Sequence, residues 1–147
     1  GDFIALSVGG STVKLDNCKI ANSLYGIYGS GKTNITFNDS EIDKCFSGIE
    51  VGEKSTLNVD ESMFKGCDIA IFTPNKSPSI THSSITNNTF IDNKIDLFTQ
   101  GGSIDGYNIS NNNFSGSQFG TLIDGDNTVL ASNNSFINSY AGTVMNA

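Results

Sequence analysis

A six-residue pattern repeats along this chain at nearly constant spacing. Each copy ends on an apolar residue, and these closing residues are Ile20, Ile42, Phe64, Phe90, Phe114 and Phe136. The spacings between them are therefore 22, 22, 26, 24 and 22 residues. A period of this length with strand-like chemistry inside it predicts a solenoid, because one repeat then makes one coil.

The segment before each closing residue has the alternation of a strand. Apolar and polar residues alternate in 13–15 (Val-Lys-Leu) and in 35–37 (Ile-Thr-Phe), a period of two that is typical of a strand with one buried face. No stretch has sustained helical spacing of apolar residues, and Asn, Thr, Ser and Gly are abundant. We therefore expect an all-β fold of about six to seven coils with 22–26 residues per coil.

Two further columns describe the turns of each coil. The column three positions before the closing residue is expected to adopt left-handed turns and to form a hydrogen-bonded ladder between coils. It contains Asn17, Asp39, Glu61, Asn87, Asn111 and Asn133. Six positions after the closing residue, four of the six repeats have glycine, which predicts a crowded turn or a positive φ. The apolar residues expected to open the third strand are Ile27, Ile49, Ile71, Leu97, Leu122 and Val144.

The N-N-x-F runs at 87–90, 111–114 and 133–136 resemble those of right-handed parallel β-helix proteins, as do the Gly-Ile pairs at 26–27 and 48–49. The resemblance covers almost the whole chain, and it implies a right-handed coil. Pectate-lyase-like enzymes, mannuronan epimerases and phage tailspikes are similar in coil pattern. Many activities share this scaffold, so the resemblance is specific for the fold and not for a reaction.

Length and charge limit the classes of function. We expect residues 1–147 to form a single β-helix domain. Because residues 3–8 look like the tail of an earlier coil, we expect it to be a fragment of a longer protein or to be capped by a partner. The formal net charge of −7 argues against nucleic acid as a partner. No run of 18 apolar residues occurs, so we expect no membrane insertion.

Cys45 and Cys67 occupy the same coil position one repeat apart, so we expect them to be stacked neighbours. Two interpretations remain for this pair, namely a disulfide or two small residues in a packed turn column. The second interpretation is favoured by the serines at the matching position, Ser23, Ser117 and Ser139. No C-x-x-C motif is present and His82 is the only histidine, so we expect no metal centre of the zinc type.

One column of the third strand is unusual because it places aromatic residues outward. Eight positions after the closing residue stand Tyr28, Glu50, Phe72 and Phe98. In the last two coils we expect a register slip of one residue, which would bring Ile123 and Met145 to this column. A row of exposed aromatic side chains usually marks a surface that packs against a ligand or a partner. That cover is either the sugar rings of a polysaccharide or another protein surface.

Two insertions, 73–79 and 99–106, follow the aromatic strands, and the aspartates near them are the candidate catalytic residues. We expect Asp105, Asp124 and Asp126 to converge in one cleft, where paired carboxylates serve glycoside hydrolysis or bind calcium. Asp and Gly are also ordinary turn residues, so a purely structural role is the alternative. The chain contains no arginine, which weakens the case for a polysaccharide lyase. We expect no cofactor, with calcium at these turns as the alternative.

Two main hypotheses for the function follow, and a third is a small full-length binding protein that seals its own ends by dimerising. The first is an extracellular, cell-surface or virion module that contacts polysaccharide or a cell-surface glycan, either as a binding protein or as part of a depolymerase. If the protein is an enzyme, the resemblance implies a polysaccharide hydrolase, lyase or epimerase. The second is a non-catalytic structural or adhesive spacer whose outward aromatic row is an oligomer seam, for example in a homotrimer.

Overall fold

The computed structural model is a stack of coils built from three parallel sheets. It describes residues 3–52, 54–74, 83–100, 104–125 and 127–146, without the side chains of 104–106, 127–128 and 146. These residues form nineteen strands, numbered here in chain order, and no helix. Each complete coil contributes one strand to each sheet, and like strands of successive coils pair in parallel. The predicted all-β parallel solenoid is therefore confirmed.

The strands fall into three sheets that follow the order of the chain. Sheet A contains β1 (Ile4–Gly9), β4 (Tyr25–Ser30), β7 (Ser47–Val51), β10 (Ile69–Pro74), β13 (Ile95–Gln100), β16 (Phe119–Asp124) and β19 (Ala141–Asn146). Sheet B contains β2 (Thr12–Asp16), β5 (Asn34–Asn38), β8 (Thr56–Asp60), β11 (Ser84–Thr86), β14 (Ile104–Ser110) and β17 (Asn127–Ser132). Sheet C contains β3 (Lys19–Ala21), β6 (Glu41–Asp43), β9 (Met63–Lys65), β12 (Thr89–Ile91), β15 (Asn113–Ser115) and β18 (Ser135–Ile137).

The six closing residues form one interior column in sheet C, as predicted. Each pairs with the closing residue of the next coil, from Ile20 to Phe136. The rings of Phe64 and Phe90 stack with centroids 5.1 Å apart, and those of Phe90 and Phe114 with centroids 4.9 Å apart. All three side chains are fully buried. Stacking of identical side chains thus gives the coils a continuous apolar core.

Variation in coil length is confined to one edge of the stack. Two residues separate every strand of sheet B from the following strand of sheet C, and three separate every strand of sheet C from the next strand of sheet A. The edge from sheet A to sheet B varies, and its longest connection runs from Pro74 to Ser84. The first predicted insertion, 73–79, lengthens this edge, although residues 75–82 are outside the described part of the chain. The second, 99–106, leaves a connection of only three residues, 101–103, which are also outside the described part, and the register of β14 shifts between Ile104 and Tyr107.

Two of the three corners are turned by residues in the left-handed conformation. The predicted column has φ between 44° and 57° at all six positions, including Asn17, Asp39 and Glu61. A second column was not predicted, and it contains Asn22, Lys44, Gly66, Asp92, Gly116 and Asn138. Gly and Asn adopt this conformation at the lowest cost, which explains their abundance at the corners.

The hydrogen-bonded ladder exists, but its predicted position was wrong by one residue. The left-handed residues are exposed, and the residue after each of them points inward. There the N–H of one coil donates to the side-chain oxygen of the next, as from Ser62 to Asn88 at 2.9 Å and from Asn88 to Asn112 at 2.9 Å. The members of this ladder are Cys18, Ser40, Ser62, Asn88, Asn112 and Asn134.

The glycine column is explained by crowding and not by a positive φ. A Cβ atom on Gly26 would lie 2.5 Å from the carbonyl oxygen of Gly48 in the next coil. A Cβ atom on Gly120 would lie 2.6 Å from the carbonyl oxygen of Gly142. None of these glycines has a positive φ. The column is therefore selected for close approach of successive coils.

Candidate contact surface on sheet A

The predicted outward column is a continuous row on the outer face of sheet A. Register pairing joins Tyr28 to Glu50, Glu50 to Phe72 and Phe72 to Phe98. All four side chains are half-buried. The structure thus brings the four residues together in one line parallel to the stack, as expected from their common coil position.

The expected register slip in the last two coils is wrong. Phe98 pairs with Leu122, and Leu122 pairs with Val144, so these two residues extend the outward row. Ile123 is buried instead, and Met145 pairs with it. The inward place expected for Leu122 is taken by Thr121, whose β-branched side chain is compatible with a strand interior. The register of β16 therefore follows its uniform pairing with β13, even though Leu122 is more hydrophobic than the Thr121 that faces inward.

A second outward row runs beside the first, and sequence reasoning missed it. Tyr25 is on the same face as Tyr28, since the two ring centroids are 5.4 Å apart. The residues in register with Tyr25 are Ser47, Ile69, Ile95, Phe119 and Ala141. The signal was an apolar or aromatic residue five positions after most closing residues. The row was missed because two consecutive residues, the one in the glycine column and the apolar residue after it, both face inward and break the alternation of the strand. We call the two rows together the outer stripe.

The rings of the outer stripe are arranged in two ways. Phe72 and Phe98 stack nearly parallel, with centroids 5.1 Å apart and an interplanar angle of 19°. Each therefore covers one face of the other. Tyr25 and Tyr28 are tilted by 59°, so their faces are not stacked on each other. The tyrosine end also carries two phenol groups, whereas the pair of Phe72 and Phe98 is purely apolar.

Glu50 is the only carboxylate in the Tyr28 row. Its side chain is half-buried between the register neighbours Tyr28 and Phe72. Burial raises the pKa of the Glu50 carboxyl above its ordinary value. A carboxylate beside aromatic rings supplies a hydrogen-bond acceptor to a polar ligand, so this end of the stripe has both apolar and polar contacts to offer.

The predicted aspartate cluster stays a prediction. Asp124 ends β16, is half-buried and pairs with Gln100 and Asn146. The side chain of Asp105 and the whole of Asp126 lie outside the described residues. Within the described part of the chain, no group of three or more His, Cys, Asp or Glu side chains is placed to hold a metal ion. Nor does that part contain a helix long and apolar enough to cross a membrane.

A polar groove lies at the corner between sheets B and C, away from the outer stripe. Its volume is about 300 Å³. Lys19 and Glu41 form an ion pair across neighbouring coils at 2.9 Å. The groove is lined by Asn17, Cys18, Lys19, Asp39, Ser40, Glu41, Glu61 and Met63. The ion pair with Lys19 offsets the charge of one of the acidic residues that line the groove.

Asp96 is a buried carboxyl group in the glycine column. One oxygen, Oδ1, accepts hydrogen bonds from Asn93 at 2.8 Å and from Ser117 at 2.7 Å. The other oxygen, Oδ2, is buried and has no hydrogen-bond partner among the described residues. Burial raises the pKa of Asp96 to about 7, although the two hydrogen bonds oppose this shift. Asp96 faces the interior of the stack, so it is not part of the contact surface.

Comparison with protein families agrees with this geometry. The family described as "Right handed beta helix region" matches residues 3–136. The chain therefore belongs to the right-handed parallel β-helix family, and the handedness implied by the resemblance is that of the family. Searches for similar curated proteins and similar solved structures found no match.

Proposed function

We propose that this β-helix module belongs to an extracellular or virion-surface protein and contacts polysaccharide through the outer stripe. The observation that supports the proposal is the row from Tyr28 through Glu50 and Phe72 to Phe98, which follows the stack axis coil by coil. A solenoid presents such an extended surface to an extended ligand. A linear polymer of sugar rings matches that form.

The tyrosine end of the stripe is the best supported position for a sugar. Tyr25 and Tyr28 have ring faces that do not stack on each other, and Glu50 follows in the next coil. An aromatic face binds the apolar side of a sugar ring, while the phenols and the carboxylate accept or donate hydrogen bonds to hydroxyl groups. Binding sites commonly combine apolar walls with a few placed polar groups.

A binding screen on an array of glycans, with the intact chain as probe, tests the proposal. For any glycan that binds, Tyr28→Ala should weaken binding by about tenfold or more, as expected for an aromatic residue that contacts the ligand directly. Leu130→Ala is the matched control, because Leu130 is 66% exposed on the outer face of sheet B. Absence of binding across the array, or equal losses for both variants, would overturn the proposal.

A specific observation favours a second candidate, namely a structural or adhesive spacer with an oligomer seam. The stacked rings of Phe72 and Phe98 cover each other's faces, and Ile69 and Ile95 lie beside them. Such a surface suits apolar packing better than contact with sugar. Sedimentation of the protein distinguishes the candidates: a trimer that Phe72→Asp dissociates supports the seam, whereas a monomer that binds glycan supports the first proposal.

A further inference from the structure

Cys45 and Cys67 are stacked thiols in neighbouring coils. The strands before them pair in register, with Ile42 opposite Phe64 and Asp43 opposite Lys65. Continuing this register places Cys45 opposite Cys67, and the backbone N–H of Asp68 donates to the carbonyl of Cys45 at 3.1 Å. Neighbouring parallel strands are about 4.8 Å apart, which falls within the Cα separation of a disulfide.

The two side chains have the same orientation. Each Sγ lies 3.7 Å from the carbonyl oxygen two residues earlier, that of Asp43 for Cys45 and that of Lys65 for Cys67. Both side chains are almost completely buried. Interaction between the two neighbouring thiols lowers the pKa of Cys45 and raises that of Cys67. Loss of the first proton is therefore favoured at Cys45, and the thiolate is the form that reacts.

We propose that Cys45 and Cys67 form an oxidation site, at which a disulfide joins the two coils. A small-molecule disulfide such as oxidised glutathione serves as the oxidant. The Cys45 thiolate attacks one of its sulfurs and releases one thiolate. Cys67 loses its proton and attacks the Sγ of Cys45, forming the Cys45–Cys67 bond and releasing the second thiolate. Two protein thiols are oxidised, and one external disulfide is reduced to two thiols.

The third cysteine provides an internal control. Cys18 lies in the ladder column, where its neighbour in the next coil is Ser40. It is only half-buried, so it remains able to react with an alkylating reagent. We therefore expect a bond between Cys45 and Cys67 that does not include Cys18.

The experiment incubates the intact chain with oxidised glutathione a few degrees below its melting temperature, so that transient opening admits the reagent. After alkylation and digestion at lysine, residues 45–54 and 66–76 should appear joined, with the mass of two hydrogens lost. Cys18 has no protein thiol beside it, so the peptide 15–19 should carry either the alkyl group or a single glutathione. Three alkylated thiols, or a disulfide that joins Cys18 to Cys45 or Cys67, would overturn the proposal.

Thermal unfolding provides a second readout. The oxidised chain should melt about 5–10 °C higher than the reduced chain, because the bond closes a loop between coils. Cys45→Ser and Cys67→Ser should lose this difference, since serine occupies the same column at Ser23, Ser117 and Ser139. Cys18→Ser should retain it. A redox-dependent shift that persists in Cys45→Ser would contradict the assignment.

Discussion

The side chain of Asn112 bonds to the coil before it and to the coil after it. Its Oδ1 accepts from the N–H of Asn88 at 2.9 Å, and its Nδ2 donates to the carbonyl of Ile85 at 2.8 Å and to Oδ1 of Asn134 at 3.0 Å. Asn112 is itself buried. One amide thus satisfies backbone groups that the corner leaves without partners in the strands.

Replacing Asn112 by Ala should lower the free energy of unfolding by about 2–3 kcal/mol, since it leaves buried backbone groups unpaired. The adjacent Asn111 is exposed and left-handed, so Asn111→Ala should cost only about 1 kcal/mol. Urea unfolding of both variants measures the difference. Equal losses would contradict the placement of the ladder.

Phe64→Ala should cost about 3–5 kcal/mol of unfolding free energy, because it opens a cavity in the stacked column. The ring of Phe64 lies between those of Phe37, 5.9 Å away, and Phe90, 5.1 Å away. Met63→Ala is the control, since Met63 is adjacent to Phe64 in the chain but its side chain points outward and is 38% exposed. Chemical denaturation measures both variants, and a loss below about 1 kcal/mol for Phe64→Ala would contradict its burial.

The repeat spacing was enough to predict the inner column, because identical positions in successive coils must stack. The error in the ladder had a local cause. Asn111 and Asn112 are both Asn, and sequence does not show which of them is left-handed and exposed. The row of Tyr25 was missed for a similar reason. Inward and outward positions of a strand are predicted from alternation, and the glycine column interrupts that alternation. The slip predicted at Leu122 followed from hydrophobicity alone, whereas pairing with Phe98 determined the register.

Gly26→Ala should destabilise the stack by about 1–3 kcal/mol, the range for an overpacked site, because its Cβ would meet the backbone of Gly48. The neighbouring coil must move to accept it. Gly52→Ala should be tolerated or slightly stabilising, since the nearest atom to its Cβ would be 3.6 Å away and its φ is not positive. Thermal melts of the two variants measure the contrast, and a neutral Gly26→Ala would argue against crowding.

Stability should fall as pH rises from 5 to 7, by on the order of 2–3 kcal/mol, if Asp96 is protonated in the folded state. Its pKa is raised to about 7 from the ordinary value of 3.8. A raised carboxyl pKa means that the folded protein holds the proton more tightly than the unfolded chain. The stabilisation that comes from protonated Asp96 is therefore complete below the pKa of Asp96 in the unfolded chain. It is lost as the pH rises through about 7, the pKa in the folded protein.

Asp96→Asn is the control for this pH dependence. An amide oxygen still accepts from Asn93 and Ser117, but the side chain no longer titrates. The free energy of unfolding in urea should therefore differ less between pH 5 and pH 7 in this variant than in the parent chain. If the parent and the variant show the same slope with pH, the buried carboxyl of Asp96 is not its source.

Because two corners of every coil have constant length, the edge between sheets A and B is the natural place to graft foreign peptides. The connection from Pro74 to Ser84 shows that this edge already accepts extra residues while β10 and β11 keep their pairing with neighbouring coils. Epitopes or ligand-binding loops inserted there in successive coils would be displayed in a line at a fixed rise of about 4.8 Å.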